Sequence, residues 1–392
     1  MHPSTRLLIG GFLSMAVAMG VGRFYYTPLL PLMQHETGFG AQTAGLIASA
    51  NFAGYLAGSI LASFIPAGRA RLWTFRIGIL ASIATTIAMG FTDNLTAWLI
   101  LRAISGVASA LGMILAAGIA AQALTSIGEA GRVGWLFSGV GTGIALSGML
   151  VHFASGWLDA SRLWIAAGVA CLIVTPVIFA EVGDRELPGR AVTGARPRRA
   201  PRPLSFWPLL AAYSLEGLGY SVFATFIVAI VKSRPGLSAM GDWVWVVAGL
   251  AGLPSCVLWP RLGERVGFAV ALLLAFLAQI VGVLLPALTA SAGGALAGAV
   301  LFGGTFLAIS TLTVPLGRHG LNGRGFAVLT AGFSIGQMLG PTLAARVIAG
   351  PGGYSAALIG SAAVLGVGVV CLVAAMLRSG AATTGEAAVP PA

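Results

Sequence analysis

Apolar positions gather into long uninterrupted stretches, each closed by a short polar or Gly/Pro-containing break. A helix needs roughly 20 mostly apolar residues to cross a bilayer core. Twelve segments meet that length: 7–30, 43–65, 73–91, 95–118, 133–153, 162–180, 205–231, 243–260, 265–288, 292–315, 325–348 and 353–377. The longest polar connection, Glu181 to Pro203, is rich in Arg and Pro and reads as a linker. The Ala/Thr/Pro-rich end of the chain reads as a disordered tail. The pattern predicts an all-α polytopic membrane protein of twelve spans. An N-terminal six-helix bundle takes 1–180, a basic cytoplasmic linker 181–204, a second six-helix bundle 205–377, and a disordered cytoplasmic tail 378–392.

Composition agrees: 57% of the 392 residues are hydrophobic and only 8% charged, against about 25% charged in soluble domains. The natural solvent of such a chain is lipid. The first apolar segment follows Arg6, as a signal peptide would, but it is long, contains Arg23 and ends in Pro28 and Pro31 without a clear cleavage site. It reads as a retained span. Cys171, Cys256 and Cys371 are scattered through predicted spans, and His2, His35, His152 and His319 form no cluster. No metal site, disulfide framework or cofactor is expected. Gly217-x-Gly219 lacks a strand–turn–helix context and no Walker sequence occurs, which argues against ATP hydrolysis. A convergent nucleophile or phosphate-handling group is also missing, so an enzyme is not expected.

The net charge of +11 raises the question of nucleic acid, and its distribution answers it. With the N-terminus inside, one membrane face receives Arg6, Arg69, Arg71, Arg76, Arg132, the six arginines of 185–202, Arg261, Arg265, Arg318, Arg324 and Arg378. The other receives Arg162, Lys232, Arg234 and Arg346, while Arg23 and Arg102 lie within the membrane. This bias follows the positive-inside rule and puts both termini in the cytoplasm. Lipid headgroups are expected partners of the linker; nucleic acid is not.

Sequence echoes relate the two groups of six spans. Gly20-Val21-Gly22 resembles Gly217-Leu218-Gly219; Gly139 and Gly143, followed by Ser147 and Gly148, resemble Gly332, Gly336 and Gly340, followed by Pro341; and Gly128 to Arg132 resembles Gly320 to Arg324. The near-constant offsets of 197, 193 and 192 residues argue for a duplication. Two like bundles fit a parallel-repeat transporter with a central path between them. Small residues four apart let helices approach closely, which serves static packing and rocking gates equally well.

Six spans, a basic loop and six more resemble the major facilitator superfamily. Trp98 to Val107 contains Arg102 with Gly106 four residues on, similar to that family's fourth-helix motif. Gly263-Glu264-Arg265-Val266-Gly267 is similar to its cytoplasmic loop motif, with Glu264 where Asp is usual. The first-half loop Ile65 to Arg71 keeps positive charge without the acid. Gly20 to Pro31 resembles the opening signature of the YbfB/YjiJ branch, bacterial transporters of mostly unassigned substrate. The fifth span departs from the antiporter motif, with Ile144 where a proline is expected and Ser147-Gly148 in place of a double glycine.

The resemblance implies that spans 1, 4, 7 and 10 line a central cavity, where Arg23, Arg102 and Glu216 can meet. Arg23 lies 16 residues after Leu7, about 24 Å along a helix, in the outer half of its span. Arg102 lies in the outer half of span 4 and Glu216 near mid-depth in span 7. One reading makes the arginines a cationic cavity for an anionic group, with Glu216 the candidate for proton coupling. The other makes all three a fixed intramembrane ion pair that holds helices together. Tyr26, Asn51, Tyr55, Tyr213, Tyr220 and Gln337 are further candidates; Tyr213, Glu216 and Tyr220 share one helix face. Gln279 falls in a span that the family places outside the cavity, where bonding between helices is the expected role. The expected function is secondary transport of a small solute by alternating access, proton-coupled and directed at an organic anion or small metabolite, by a functional monomer in the bacterial inner membrane. Drug or metabolite efflux by proton antiport, passive uniport, and a receptor without turnover stay open.

Overall fold

The computed structural model describes residues 2–183, 201–317 and 320–386. Most of the linker, together with Arg318 and His319, therefore lies outside the described residues. Every regular element among the described residues is helical. Twelve helices are long and apolar enough to cross a membrane: Ser4–Thr37, Ala41–Ser63, Arg69–Met89, Leu95–Ser126, Gly134–Ala154, Ala160–Glu181, Phe206–Lys232, Ser238–Val266, Phe268–Leu288, Ala292–Gly317, Gly325–Ile348 and Gly353–Ser379. They are numbered here as spans 1–12. The end of the bundle that carries both chain termini is called the near face, the opposite end the far face.

Several helices overrun the apolar stretches that announce them. Span 4 continues to Ser126 because its Ala-rich close favours helix after hydropathy has fallen. The last helix runs on to Glu386, so residues 378–386, expected to be disordered, continue it, while 387–392 lie outside the described residues. The linker's last residues dock on the second half: the Leu204 amide donates to the Leu316 carbonyl at 3.0 Å.

Span 1 differs most from expectation. It is a helix over Pro3–Met15, a π-helical stretch over Ala16–Val21, four residues without helix, and a second helix over Tyr26–Thr37. Amides at Gly22 and Phe24 reach back five residues, to Val17 and Met19. Pro28 and Pro31, at the outer end of the span, do not make this break. Pro28 lies in the first turn of the second helix, where an amide proton is not needed. The break belongs instead to the Gly20–Gly22 stretch, which π-type bonding opens.

Packing follows the duplication. Spans 1 and 5, 2 and 4, 3 and 4, 3 and 6 pair in the first half; spans 7 and 11, 8 and 10, 9 and 10, 9 and 12 pair in the second. The halves meet through spans 2 with 11 and 5 with 8, and the second helix of span 1 lies against span 7. Glycines make these approaches possible. A methyl group at Gly139 would overlap the Phe12 carbonyl, one at Gly143 would meet Ala16 and Gly20, and one at Gly336 would overlap the Ser214 carbonyl. Gly332 and Gly340 also face span 7, at Ser214 and Ser221, while Gly148 faces Val246 and Asp242 across the halves. The Pro341 carbonyl lies against Gly45 of span 2.

Candidate functional site

The break in span 1 exposes backbone carbonyls in an apolar interior, where each needs a donor. Span 4 supplies them. Arg102 donates from Nη1 to the Gly22 carbonyl at 3.1 Å and from Nη2 to the Arg23 carbonyl at 3.0 Å, and Ser105 Oγ donates to Gly22 at 2.7 Å. The Arg102 guanidinium also lies 5.3 Å from the centre of the Tyr26 ring, whose hydroxyl donates to the Ala44 carbonyl. Asn51 in turn donates to the Arg102 carbonyl at 3.1 Å, and the bare Cα of Gly106 lets span 2 come close at Asn51. Arg102, Tyr26, Asn51 and Gly106 thus form one joint between spans 1, 2 and 4.

That joint turns the Arg23 side chain toward the second half. Its guanidinium stacks over Tyr55, 4.2 Å from the ring centre, and over Phe52 at 4.7 Å. Arg23 Nη2 donates to the Tyr220 hydroxyl at 2.9 Å and to Gln337 Oε1; the same hydroxyl donates to Gln337 Oε1 at 2.8 Å. Spans 1 and 2 therefore meet spans 7 and 11 in a single polar cluster. Arg23 is only 4% exposed, and its Nε and the Gln337 Nε2 have no hydrogen-bond partner. No ion pair among the described residues involves Arg23, Arg102 or Glu216. The expected alternative of a fixed arginine–glutamate pair is not what the geometry contains.

Glu216 faces elsewhere. Gln279 Nε2 of span 9 donates to its Oε1 at 2.8 Å, and Thr305 of span 10 donates to Gln279 Oε1 at 3.1 Å. Glu216 is fully buried and its Oε2 has no partner. Tyr213 stacks on Phe333, with ring centres 4.6 Å apart. Glu216 thus belongs to the interior of the second bundle, one helical turn from Tyr220 and not in contact with the arginines.

At the near face Gly263, Glu264 and Arg265 close span 8, and Gly267, with φ of 101°, turns the chain into span 9. Glycine suits that left-handed turn; any other residue there is strained. Sequence reasoning missed two sets of residues. One is the ring system of Phe302, Phe306 and Phe333 around Tyr220; the spacing of Phe302 and Phe306, four apart on span 10, was its only signal. The other is a far-face ionic group, Lys232 Nζ at 2.8 Å and His152 Nδ1 at 3.8 Å from the carboxylate of Asp242, which joins span 5 to spans 7 and 8. Among the described residues no three metal-ligating side chains come together.

This architecture is shared with solved transporters. A crystal structure of a mutant of the nucleoside transporter NupG superposes with a TM-score of 0.71 at 13% identity, over 95% of this chain and 99% of that one. A bacterial homologue of the human lysosomal transporter Spinster, solved inward-facing and unoccupied, gives 0.65 at 16% identity over 100% and 99%. No curated protein matches by sequence. The family model described as "Uncharacterised MFS-type transporter YbfB" matches residues 15–374. The chain therefore belongs to the YbfB-type family of major facilitator transporters, a fold and family that point to membrane transport rather than enzymatic chemistry.

Proposed function

We propose that this protein is a proton-coupled secondary transporter that moves a small organic anion by alternating access, acting as a monomer in the bacterial inner membrane with its near face in the cytoplasm. One observation carries the anion: Arg23 is buried where the halves meet, its two acceptors are neutral, and no carboxylate neutralises it. Burying a cation without a counter-charge is costly, so its retention at this position favours a negative charge supplied by the solute. A guanidinium forks onto a carboxylate with two parallel hydrogen bonds. Arg102, bound to two backbone carbonyls, positions Arg23 and does not itself reach the solute.

Glu216 is the residue proposed to carry the proton. Its unpartnered Oε2 gives its two protonation states different hydrogen-bond needs, and Tyr220, which meets Arg23, lies one turn away on the same span. Its bonding to Gln279 and Thr305, away from Arg23, favours a second reading, passive uniport with Glu216 as a packing group.

Purified protein in liposomes, tested with organic acids, amino acids, sugars and cationic drugs with and without a proton gradient, separates these readings. Saturable, gradient-driven movement of acids is expected. Movement of neutral or cationic compounds alone rejects the anion. The Glu216→Gln variant is expected to lose its response to the gradient; wild-type pH dependence and coupling in that variant leave uniport.

A further inference from the structure

The acceptor that holds Arg23 is itself part of a wall of nearly parallel rings. The Tyr220 ring lies within 10° of Phe333 at 5.4 Å, within 13° of Phe306 at 6.2 Å and within 17° of Phe302 at 6.5 Å. Phe302 and Phe306 are tilted by only 4° from one another at 5.3 Å. All four rings come from the second half, on spans 7, 10 and 11. Phe24, next to Arg23 in the first half, meets this wall edge-on at Phe306, 6.0 Å away, and also touches Trp245 at 6.2 Å. Around the Arg23 guanidinium and the rings, Arg23 Nε, Gln337 Nε2 and Trp245 Nε1 are buried N–H donors without partners, while the unpartnered acceptors Asn51 Oδ1 and Glu216 Oε2 belong to the span 2–span 4 joint and to the interior of the second bundle.

We infer that the transported solute is a planar aromatic monocarboxylate, bound with its carboxylate on Arg23 and its ring against the Tyr220–Phe306–Phe333 wall. The inference rests on the anion reading above and narrows it. Orphan donors call for an acceptor-rich group, and a carboxylate offers two oxygens with several lone pairs. One negative charge suffices, because Arg102 has both terminal nitrogens on carbonyl oxygens and brings no second pair of donors. Planarity follows from the wall. The rings already stack in parallel on one another, so a solute ring that extends the stack must be flat, and offset stacking rewards an aromatic ring over a saturated one of equal size. The hydroxyl that meets Arg23 is carried by a ring of the wall itself, Tyr220, so a carboxylate taking the hydroxyl's place on Arg23 brings its own ring beside that wall.

The test uses full-length protein in detergent and pairs of acids matched in charge and size: benzoate with cyclohexanecarboxylate, and 2-naphthoate with decahydro-2-naphthoate. Benzamide is the neutral control. Calorimetric titration is expected to show the better aromatic acid binding about tenfold tighter than its saturated partner, as two stacking contacts imply, with no binding of benzamide. Arg23→Gln should abolish binding of both acids. Phe306→Leu should shrink the aromatic preference while leaving the saturated acid's affinity in place. Equal affinity within both pairs, lost in Arg23→Gln, overturns the aromatic assignment and leaves the anion reading standing. Benzamide binding as well as benzoate overturns both, and so does a failure of every acid to bind while a neutral solute moves in liposomes. The wild-type pairs decide the matter even where a variant does not fold.

Discussion

Both terminal nitrogens of Arg102 end on the carbonyl oxygens of the broken first span, whereas Arg23 ends on two neutral side chains from the other half of the molecule. The two buried arginines should therefore fail in opposite ways. Arg102→Ala strands the Arg23 carbonyl in an apolar interior and leaves the Gly22 carbonyl to Ser105 alone, at a cost on the order of 3 kcal/mol for two charge-assisted bonds. A clearly lowered thermal transition in detergent is expected. Arg23→Gln removes a buried charge that has no counterion, so the transition should hold or rise, while uptake of acids falls about tenfold or more with the loss of a forked ion contact. A large loss of thermal stability in Arg23→Gln, with uptake retained by folded protein, would contradict this division of roles. The sequence made both arginines candidates because each is a charge in a long apolar run. It could not separate them, since the role of Arg102 depends on a backbone break in a different span. Glu216 has the same history. Its helix face was legible from Tyr213 and Tyr220, but its bond to Gln279 required knowing which side of span 7 faces span 9.

Glycine sets the closeness of the helices, and its effect depends on what lies opposite. At Gly139 and Gly336 a methyl group would overlap a carbonyl of the neighbouring span, Phe12 in one half and Ser214 in the other. Gly139→Leu and Gly336→Leu should each force helices apart, with the roughly 1–3 kcal/mol or more typical of overpacking. The folded, monodisperse fraction on size exclusion should fall for both. Gly360, where a methyl group would find nothing within 4 Å, is the matched control, and Gly360→Ala should behave as wild type or slightly better. If Gly139→Leu and Gly360→Ala elute alike at full yield, the close contact between spans 1 and 5 is not needed for assembly. The twelve spans and the duplicated glycines could be read directly, because length, hydropathy and four-residue spacing are properties of one helix at a time. The partner of each glycine could not. Gly106, grouped in the sequence with Arg102, packs on Asn51 of span 2, and the π-turn that re-aims Arg23 leaves no apolar or polar signature of its own.

At the scale of the whole molecule, the halves are joined toward the near face, where Ser138 Oγ of span 5 donates to the Leu253 carbonyl of span 8 at 2.6 Å, and by several further contacts in the far half of their depth. The second helix of span 1 lies along span 7, with the Thr27 hydroxyl donating to the Ala224 carbonyl. The hydroxyls of Ser49 on span 2 and Thr342 on span 11 are 2.7 Å apart, and Asp242 gathers Lys232 and His152 across spans 7, 8 and 5. Under the alternating access proposed above, these far-half contacts must part in every cycle, because a solute on Arg23 would otherwise have no way out through the far face. Asp242→Asn weakens the ionic group without touching the cluster around Arg23, so it should favour opening at that face; faster labelling of a cysteine introduced at Ser49, in the far half of span 2, with the affinity for acids little changed, is the expected readout. A covalent tie tests the same motion more sharply. Side chains whose hydroxyls already touch lie within reach of disulfide geometry, so the double variant Ser49→Cys/Thr342→Cys should oxidise readily once Cys171, Cys256 and Cys371 are replaced by alanine. Oxidised protein in liposomes is expected to lose at least about nine-tenths of its uptake, and reduction of the same sample should restore it. Because the tie lies away from Arg23, calorimetric binding of acids from the near face should survive oxidation. Uptake that continues unchanged with the two spans locked together would mean that the halves do not separate along spans 2 and 11, and the rocking of one bundle against the other would have to be abandoned for a path confined to one of them.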